Sequence, residues 1–175
     1  MSAPSARLWV LLGEKFACIK INGRANFSSS IDFRTAVNRL LERGYRYFVL
    51  DLSECQLMDS TFLGVLAGFG LKMNPPGSSQ PSVIELLNPN ARVTELLENL
   101  GVLHLFSVCE RAPTATAPAG AEPVNPSQPS KIEVQRACLE AHQTLMAINP
   151  ENVAKFKDLT QFLAEDLKKA KGPGL

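Results

Sequence analysis

Short apolar runs alternate with amphipathic stretches along the first 108 residues of the chain. Apolar runs at residues 8–12 and 16–21, separated by Gly13-Glu14-Lys15, predict two strands joined as a hairpin. Beyond Ser28, Ser29 and Ser30, which offer capping oxygens, apolar residues recur at helical spacing: Phe33, Ala36, Val37, Leu40 and Leu41. This pattern predicts an amphipathic helix that ends at Gly44.

The pattern continues with strands over residues 45–52, 82–87 and 103–108, and with two more helices between them. A polar corner precedes the first of these helices, which starts near Asp59, and Asn88-Pro89 is typical of the start of the second. A hairpin followed by alternating helices and strands predicts an α/β fold, with a mixed, largely parallel sheet and helices packed on it. Gly64, Gly68 and Gly70 weaken the helix at 62–73, so we expect them to allow close packing on the sheet or to leave a smooth face for a partner.

Composition changes at Arg111. From residue 111 to 130, five of twenty residues are proline and five are alanine, which predicts an extended linker. Beyond it, apolar residues at helical spacing predict a helical hairpin, which at this size must dock on the domain, on a second copy or on another molecule. The predicted organisation is a domain at 1–110, a Pro/Ala-rich linker at 111–130 and an α-helical hairpin extension at 131–175.

Charge and cysteine usage exclude several function classes. The formal charge is +1, with 18 basic against 17 acidic residues, so nucleic acid is not an expected partner. The longest apolar run has ten residues, short of the ~18–20 that span a bilayer, and no signal-peptide pattern opens the chain, so we expect a cytoplasmic protein without direct membrane insertion. The four cysteines have no paired short spacing and the chain has two histidines, so no metal or cofactor is expected.

No catalytic motif is present, and the chain is not expected to be an enzyme. His104 and His142 are expected to be packing or surface residues rather than catalysts. Asp59-Ser60-Thr61 remains, at the start of a helix. Spacing alone leaves two interpretations: simple helix caps, or a phosphorylation site at Ser60. A phosphate there would lie at the positive end of the helix and would change the binding of a partner that docks at this turn.

Two segments resemble a known family. Phe48-Val-Leu-Asp-Leu-Ser and Met58-Asp-Ser-Thr-Phe-Leu-Gly-Val-Leu resemble the signature of the STAS domain, in particular that of bacterial anti-sigma-factor antagonists. Ile21-Asn-Gly-Arg-Ala-Asn26 resembles the turn after the family's second strand. The resemblance covers roughly residues 7–109 and implies a STAS-like fold and a non-enzymatic regulatory role. It also implies that Ser60, or as second choice Thr61, is phosphorylated by an anti-sigma-factor kinase and dephosphorylated by a PP2C-type phosphatase.

The resemblance further implies a partner-binding face around this turn, formed by Asn26, Asp59, Ser60, Thr61, Phe62, Leu63, Val65 and Leu66. Two positions depart from the family pattern. Phe62 stands where glycine is most common, and we expect it to alter the surface beside Ser60. Asn26 replaces the usual aspartate and removes one charge from the expected interface.

Two other functions are compatible with the same domain. Some STAS proteins similar to this one are cytoplasmic accessory subunits of ABC-type lipid transporters. Alternatively, the chain is a scaffold that assembles through its own copies, with self-association through residues 131–170, because the apolar face of the hairpin needs a partner surface.

Overall fold

The computed structural model describes residues 5–75, 83–110 and 120–170. Within these ranges the chain forms a mixed sheet with helices packed on it, which confirms the α/β prediction. In chain order the elements are β1 (Arg7–Leu12), β2 (Ala17–Ala25), α1 (Phe27–Glu42), β3 (Tyr47–Asp51), β4 (Cys55–Met58), α2 (Ser60–Met73), β5 (Val83–Leu87), α3 (Ala91–Asn99), a 3₁₀ turn (Leu103–Leu105), β6 (Ser107–Cys109), β7 (Glu122–Pro123), α4 (Lys131–Ile148) and α5 (Glu151–Ala170).

The described strands lie in the order β6-β5-β3-β2-β1-β7. The pairs β2–β3, β3–β5 and β5–β6 are parallel. In each pair the two strands are joined by a segment that contains a helix, which is the usual crossover between parallel strands. The β1–β2 hairpin is antiparallel, as the short turn between its strands requires. The sheet is therefore mixed and largely parallel.

One face of the sheet forms the core. In β3, Phe48 and Leu50 are fully buried, whereas the residues between and beside them are half-buried or exposed. The ring of Phe48 meets the edge of Phe69 in α2 at a centroid distance of 4.9 Å. Phe33 of α1 contacts Phe62 of α2 at 5.1 Å, so the two helices share an aromatic layer above the strands.

The start of α1 differs from the prediction. Asn26, rather than the three serines, is the N-cap: its side-chain oxygen accepts hydrogen bonds from the backbone N–H groups of Ser28 and Ser29. The hydroxyl of Ser29 accepts from the N–H of Asn26, which completes a capping box. An asparagine ahead of three serines is an equally good cap, and the pairing of β2 with β4 up to Ala25 places the helix start there.

The start of α3 is shifted as well. Asn90, two residues beyond the predicted cap, accepts a hydrogen bond from the N–H of Val93. Asn88 instead has a φ of 53°, a left-handed conformation that asparagine tolerates better than most residues. The chain therefore makes a turn at Asn88-Pro89 before the helix begins.

The predicted strand at 103–108 is wrong in its first half. Leu103–Leu105 form the 3₁₀ turn, in which His104 is exposed, and the strand comprises Ser107–Cys109 alone. A Cβ at Gly70 in α2 would lie 3.3 Å from Leu105 and Phe106. The turn thus packs its apolar side chains on the helix instead of extending along the sheet.

The polar corner before α2 contains a strand that the pattern did not predict. Cys55–Met58 form β4, parallel to the end of β2. The register shifts beside Gly23, whose φ of 102° suits glycine alone. Only four residues long, β4 is too short for its burial pattern to show alternation.

The segment after β6 returns to the far edge of the sheet. Residues 111–119 of the predicted linker lie outside the described residues. Its later part lies on the domain: β7 pairs with β1, and Asp32 of α1 accepts hydrogen bonds from the N–H and hydroxyl of Ser127. Proline and alanine therefore do not keep residues 120–130 away from the fold.

The C-terminal helical hairpin is present and docks on the same chain. α4 packs on α2 and α1, and α5 packs on α4. Ala141 and Leu145 of α4 belong to the domain core. Near the C-terminal end of α4, the buried amide of Asn152, at the start of α5, donates to the carbonyls of Leu100 (2.9 Å) and Leu145 (2.8 Å). Part of the apolar face that suggested self-association is thus covered within one chain, whereas Val153, Leu159 and Phe162 of α5 are exposed.

Candidate functional site

The Asp59-Ser60-Thr61 turn joins β4 to α2. The N–H of Asp59 donates to the carbonyl of Ala25, which ties the turn to the end of β2. One carboxylate oxygen of Asp59 accepts from the N–H of Phe62 at 2.8 Å and so caps α2. The other accepts from the N–H of Phe27 at 2.8 Å, the first residue of α1. A single carboxylate therefore fixes the starts of both helices relative to each other.

The environment of Asp59 acts on its pKa in two directions. Burial raises the pKa of this carboxyl above its ordinary value. The hydrogen bonds from Phe62 and Phe27 oppose the rise, since each favours the ionised form. The acceptor geometry towards two N–H groups is that of a structural cap.

Ser60 is the first residue of α2, and its side chain is half-buried. Its Oγ lies 2.8 Å from Nε2 of His142 in α4. Nδ1 of the same ring lies 2.6 Å from the carbonyl oxygen of Cys138, and since a carbonyl only accepts, Nδ1 carries a proton. In the neutral ring Nε2 then has the lone pair, and the hydroxyl of Ser60 donates to it.

Beside Ser60, the side chain of Thr61 is 5% exposed and its hydroxyl donates to the sulfur of Cys138 at 3.3 Å. One turn further along α2, a Cβ at Gly64 would lie 2.4 Å from the carbonyl oxygen of Ala141 and 2.6 Å from its Cβ. α4 therefore crosses α2 in direct backbone contact, and Gly64 is required by that crossing. Close packing was one of the two expectations for the glycines, but at Gly64 it is against a helix rather than the sheet.

The structure brings together part of the predicted partner-binding face. Asn26, Asp59 and Ser60 meet at the adjoining starts of α1 and α2, and each is partly exposed. The apolar members lie beneath them: Phe62, Leu63 and Leu66 are 0% exposed and Val65 is 9% exposed. These four side chains are parts of the core, and they position the turn.

The expected surface effect of Phe62 is wrong. Its ring is fully buried against Phe33 and does not reach the surface beside Ser60. An aromatic residue at this position fills the layer between α1 and α2. It therefore changes the packing under the turn and not the face that a partner would meet.

His142 is the residue that sequence reasoning missed. It is 1% exposed, its ring meets the edge of Phe156 at 4.7 Å, and it contacts Ser60 across 82 positions of sequence. Burial agrees with the expected packing role, but the contact with Ser60 was not predicted. The available signal was its spacing of four from Cys138, which places both on one side of α4 facing α2.

A hydroxyl that donates to an imidazole resembles the activated nucleophile of serine hydrolases. Here the third group is a backbone carbonyl, and the imidazole is closed off from solvent by the helices around it. The hydrogen bond between Ser60 and His142 links the start of α2 to α4.

The described residues contain no group of three or more His, Cys, Asp or Glu side chains that could hold a metal ion. Among the helices that the structure describes, none is both long and apolar enough to cross a membrane.

Comparison with known proteins places this geometry in a family. The fold is similar to that of the anti-sigma factor antagonist SpoIIAA in its unphosphorylated form, with a TM-score of 0.52, 14% identity, and 61% of this chain and 89% of that chain covered. It is similar to an anti-sigma factor antagonist from Mycobacterium paratuberculosis, with a TM-score of 0.51, 16% identity, and 62% and 89% coverage. The phosphorylated form of SpoIIAA from Bacillus gives a TM-score of 0.50 at 14% identity, with 61% and 92% coverage.

No curated protein matches the sequence closely enough to be significant. The STAS domain, in contrast, matches residues 13–115, more than half of the sequence. The expected STAS-like fold is thereby confirmed, and the match ends before α4 begins, so the helical hairpin is additional to it. The chain belongs to the STAS domain family.

Proposed function

We propose that this protein is a regulatory protein–protein interaction module, similar to anti-sigma-factor antagonists, and that phosphorylation of Ser60 switches it. The observation that supports the proposal is the placement of Ser60 as the first residue of α2, partly exposed, in a turn that the hydrogen bonds of Asp59 hold in place. The same fold occurs in an antagonist whose structure exists in a phosphorylated form.

The geometry favours Ser60 over Thr61 as the residue that accepts a phosphate. Thr61 is nearly buried, and its hydroxyl faces Cys138. Ser60 lies at the positive end of the α2 dipole, where a phosphate is favourable. About two negative charges added there would leave the sheet intact and would act on whatever docks against the turn.

The partners that fit this role are a serine-kinase-like anti-sigma factor, which would bind the unphosphorylated turn and modify it, and a PP2C-type phosphatase, which would reverse the change. On this proposal the chain is not itself an enzyme and works in the cytoplasm. The contact would centre on Asn26, Asp59, Ser60 and Thr61, with Phe62, Leu63, Val65 and Leu66 supporting them from the core. Asn26 is occupied as a helix cap, so its amide offers a partner less hydrogen-bonding capacity than a free side chain.

The test uses the purified full chain with candidate switch kinases and ATP. We expect phosphate on Ser60 by mass spectrometry, and we expect Ser60→Asp to weaken binding of the same kinase at least about tenfold, the effect of 1.4 kcal/mol. Ser53→Ala, in an exposed turn, is the matched control and leaves both results unchanged. If no kinase modifies Ser60 and Ser60→Asp leaves every affinity unchanged, the switch is refuted.

A further inference from the structure

α4, the first helix of the C-terminal hairpin, occupies the side of α2 that carries the proposed site. Ser60, Gly64 and Gly68 are spaced by four residues, so they form one stripe along α2. α4 lies along this stripe: His142 contacts Ser60, and Ala141 contacts Gly64. The same helix faces the hydroxyl of Thr61 through Cys138.

We propose that α4 is an intramolecular cover of the Ser60 turn, and that docking of α4 excludes both a phosphate on Ser60 and a partner bound at that turn. This inference rests on the proposed function, because it takes the turn to be the modified and partner-binding site. It goes further in assigning a role to the hairpin, which lies outside the STAS match.

The space around Ser60 supports the exclusion. With 2.8 Å between Oγ and Nε2 of His142, no atom fits between them, so in this rotamer a phosphate on Oγ requires α4 to move. His142 is packed against Phe156 and 1% exposed, so it cannot swing aside while α4 stays in place.

The contacts of α4 suit a helix that docks reversibly. Its buried side chains are small or polar for the most part: Ala137, Ala141, His142 and Leu145. Its ion pair with α1, between Glu140 and Arg34, is solvent-exposed and contributes little. α4 and α5 pack on each other, so the hairpin would leave α2 as a unit, breaking the hydrogen bond of Asn152 to Leu100 and withdrawing Ala141 and Leu145 from the core.

Linkage makes the relation reciprocal. If phosphate on Ser60 weakens docking of α4, docking lowers the equilibrium constant for phosphorylation of Ser60 by the same factor, typically about 5- to 150-fold for such couplings. The free energy of docking the hairpin is then a threshold that a kinase or partner must overcome. A domain without the hairpin would lack this threshold.

The test is hydrogen exchange on the full chain with phosphoserine incorporated at position 60 during synthesis. We expect the amides of α4 to exchange roughly 5- to 150-fold faster than in the unmodified chain, with β2, β3 and β5 unchanged. Phosphoserine at position 53, in an exposed turn, is the control and leaves α4 protected. Unchanged or increased protection of α4 would overturn the proposal. Loss of protection throughout the sheet would overturn it equally, since the domain beneath would not tolerate the phosphate.

A second measurement follows the docking equilibrium of α4 through disulfide formation. Thr61→Cys places a thiol where the hydroxyl now lies 3.3 Å from the sulfur of Cys138, and while α4 is docked oxidised glutathione converts the two thiols to a disulfide, itself being reduced to two glutathione thiols. In a glutathione buffer, phosphoserine at position 60 should shift this pair towards the dithiol by the same 5- to 150-fold. An equal disulfide fraction with and without phosphate contradicts the cover. Because no kinase is used, a failure here concerns the cover alone, whereas failure of a kinase to modify Ser60 concerns the proposed function.

Discussion

Replacing Gly64 with alanine perturbs the crossing of α2 and α4 at one atom. The added Cβ would lie 2.4 Å from the carbonyl oxygen of Ala141 and 2.7 Å from its carbonyl carbon. These are backbone atoms, so relief requires α4 to move by about 1 Å or more to reach ordinary contact distance. Gly64→Ala therefore forces a choice between a strained and an undocked helix.

Two terms decide the magnitude. In a helix interior alanine is favoured over glycine by about 1 kcal/mol. Overpacking a close contact costs about 1–3 kcal/mol. Gly68→Ala is the matched control in the same helix: the nearest atom to its Cβ is 3.8 Å away, and it lines an open cleft between α1, α2 and α4. The preference of the helix for alanine is common to both variants. The difference between their free energies of unfolding therefore isolates the cost of overpacking at Gly64.

The assay is urea unfolding of both variants, together with hydrogen exchange of α4. We expect Gly68→Ala to raise the free energy of unfolding by about 0.5–1 kcal/mol and Gly64→Ala to lie about 1–3 kcal/mol below it. In Gly64→Ala the amides of α4 should exchange faster than those of the sheet. If both variants are stabilised equally and α4 stays protected in both, α4 does not cross α2 at Gly64 and the cover is refuted.

Three further changes probe the docking and the core. Asn152→Ala removes the side-chain donor of the Leu100 carbonyl, whereas the carbonyl of Leu145 keeps the N–H of Asn149, and should lower the free energy of unfolding by about 1–3 kcal/mol, with α5 exchanging first in hydrogen-exchange experiments. Phe62→Ala should cost about 3–5 kcal/mol in urea unfolding, since a fully buried ring is lost, whereas a surface role would cost under about 0.5 kcal/mol. Burial raises the pKa of the Cys18 and Cys55 thiols from 9.0 to about 11. The folded state holds these protons more tightly, so stability should fall as pH rises from 9.0 towards 11, and both thiols should resist iodoacetamide at pH 8 until the chain unfolds.

The sequence predicted the helices and most strands because their apolar residues follow a clear period. Phe33, Val37 and Leu40 in α1 are all buried, as the spacing requires. Helix starts were less certain, since several residues in a row could serve as caps. Asn26 was chosen over Ser28 by the pairing of β2 with β4, which is a tertiary feature.

The turn that carries the candidate site was predicted from its local chemistry. Asp59 and Ser60 combine a cap with a hydroxyl at the start of the helix, and the resemblance to a family pointed to the same residues. The sequence could not show that Asp59 also binds the start of α1, through Phe27, because that contact spans 32 positions. Nor could it distinguish docking of the hairpin on its own domain from docking on a second copy, since its apolar face fits either.

Phe62 departs from the family pattern, and its burial changes the expected effect of that departure. The residue was expected to alter the surface next to Ser60, yet it fills the aromatic layer with Phe33. The surface at the turn is altered instead by α4, which brings His142 and Cys138 over the two hydroxyls. What distinguishes this chain at its candidate site is therefore the added hairpin.

The most direct test of the central claim is to map phosphate on the full chain isolated, with phosphatase inhibitors, from the cells that produce it. The account predicts a phosphate on Ser60 that disappears in Ser60→Ala and persists in the control Ser53→Ala. A Ser60 peptide recovered wholly unmodified under every growth and stress condition would contradict it.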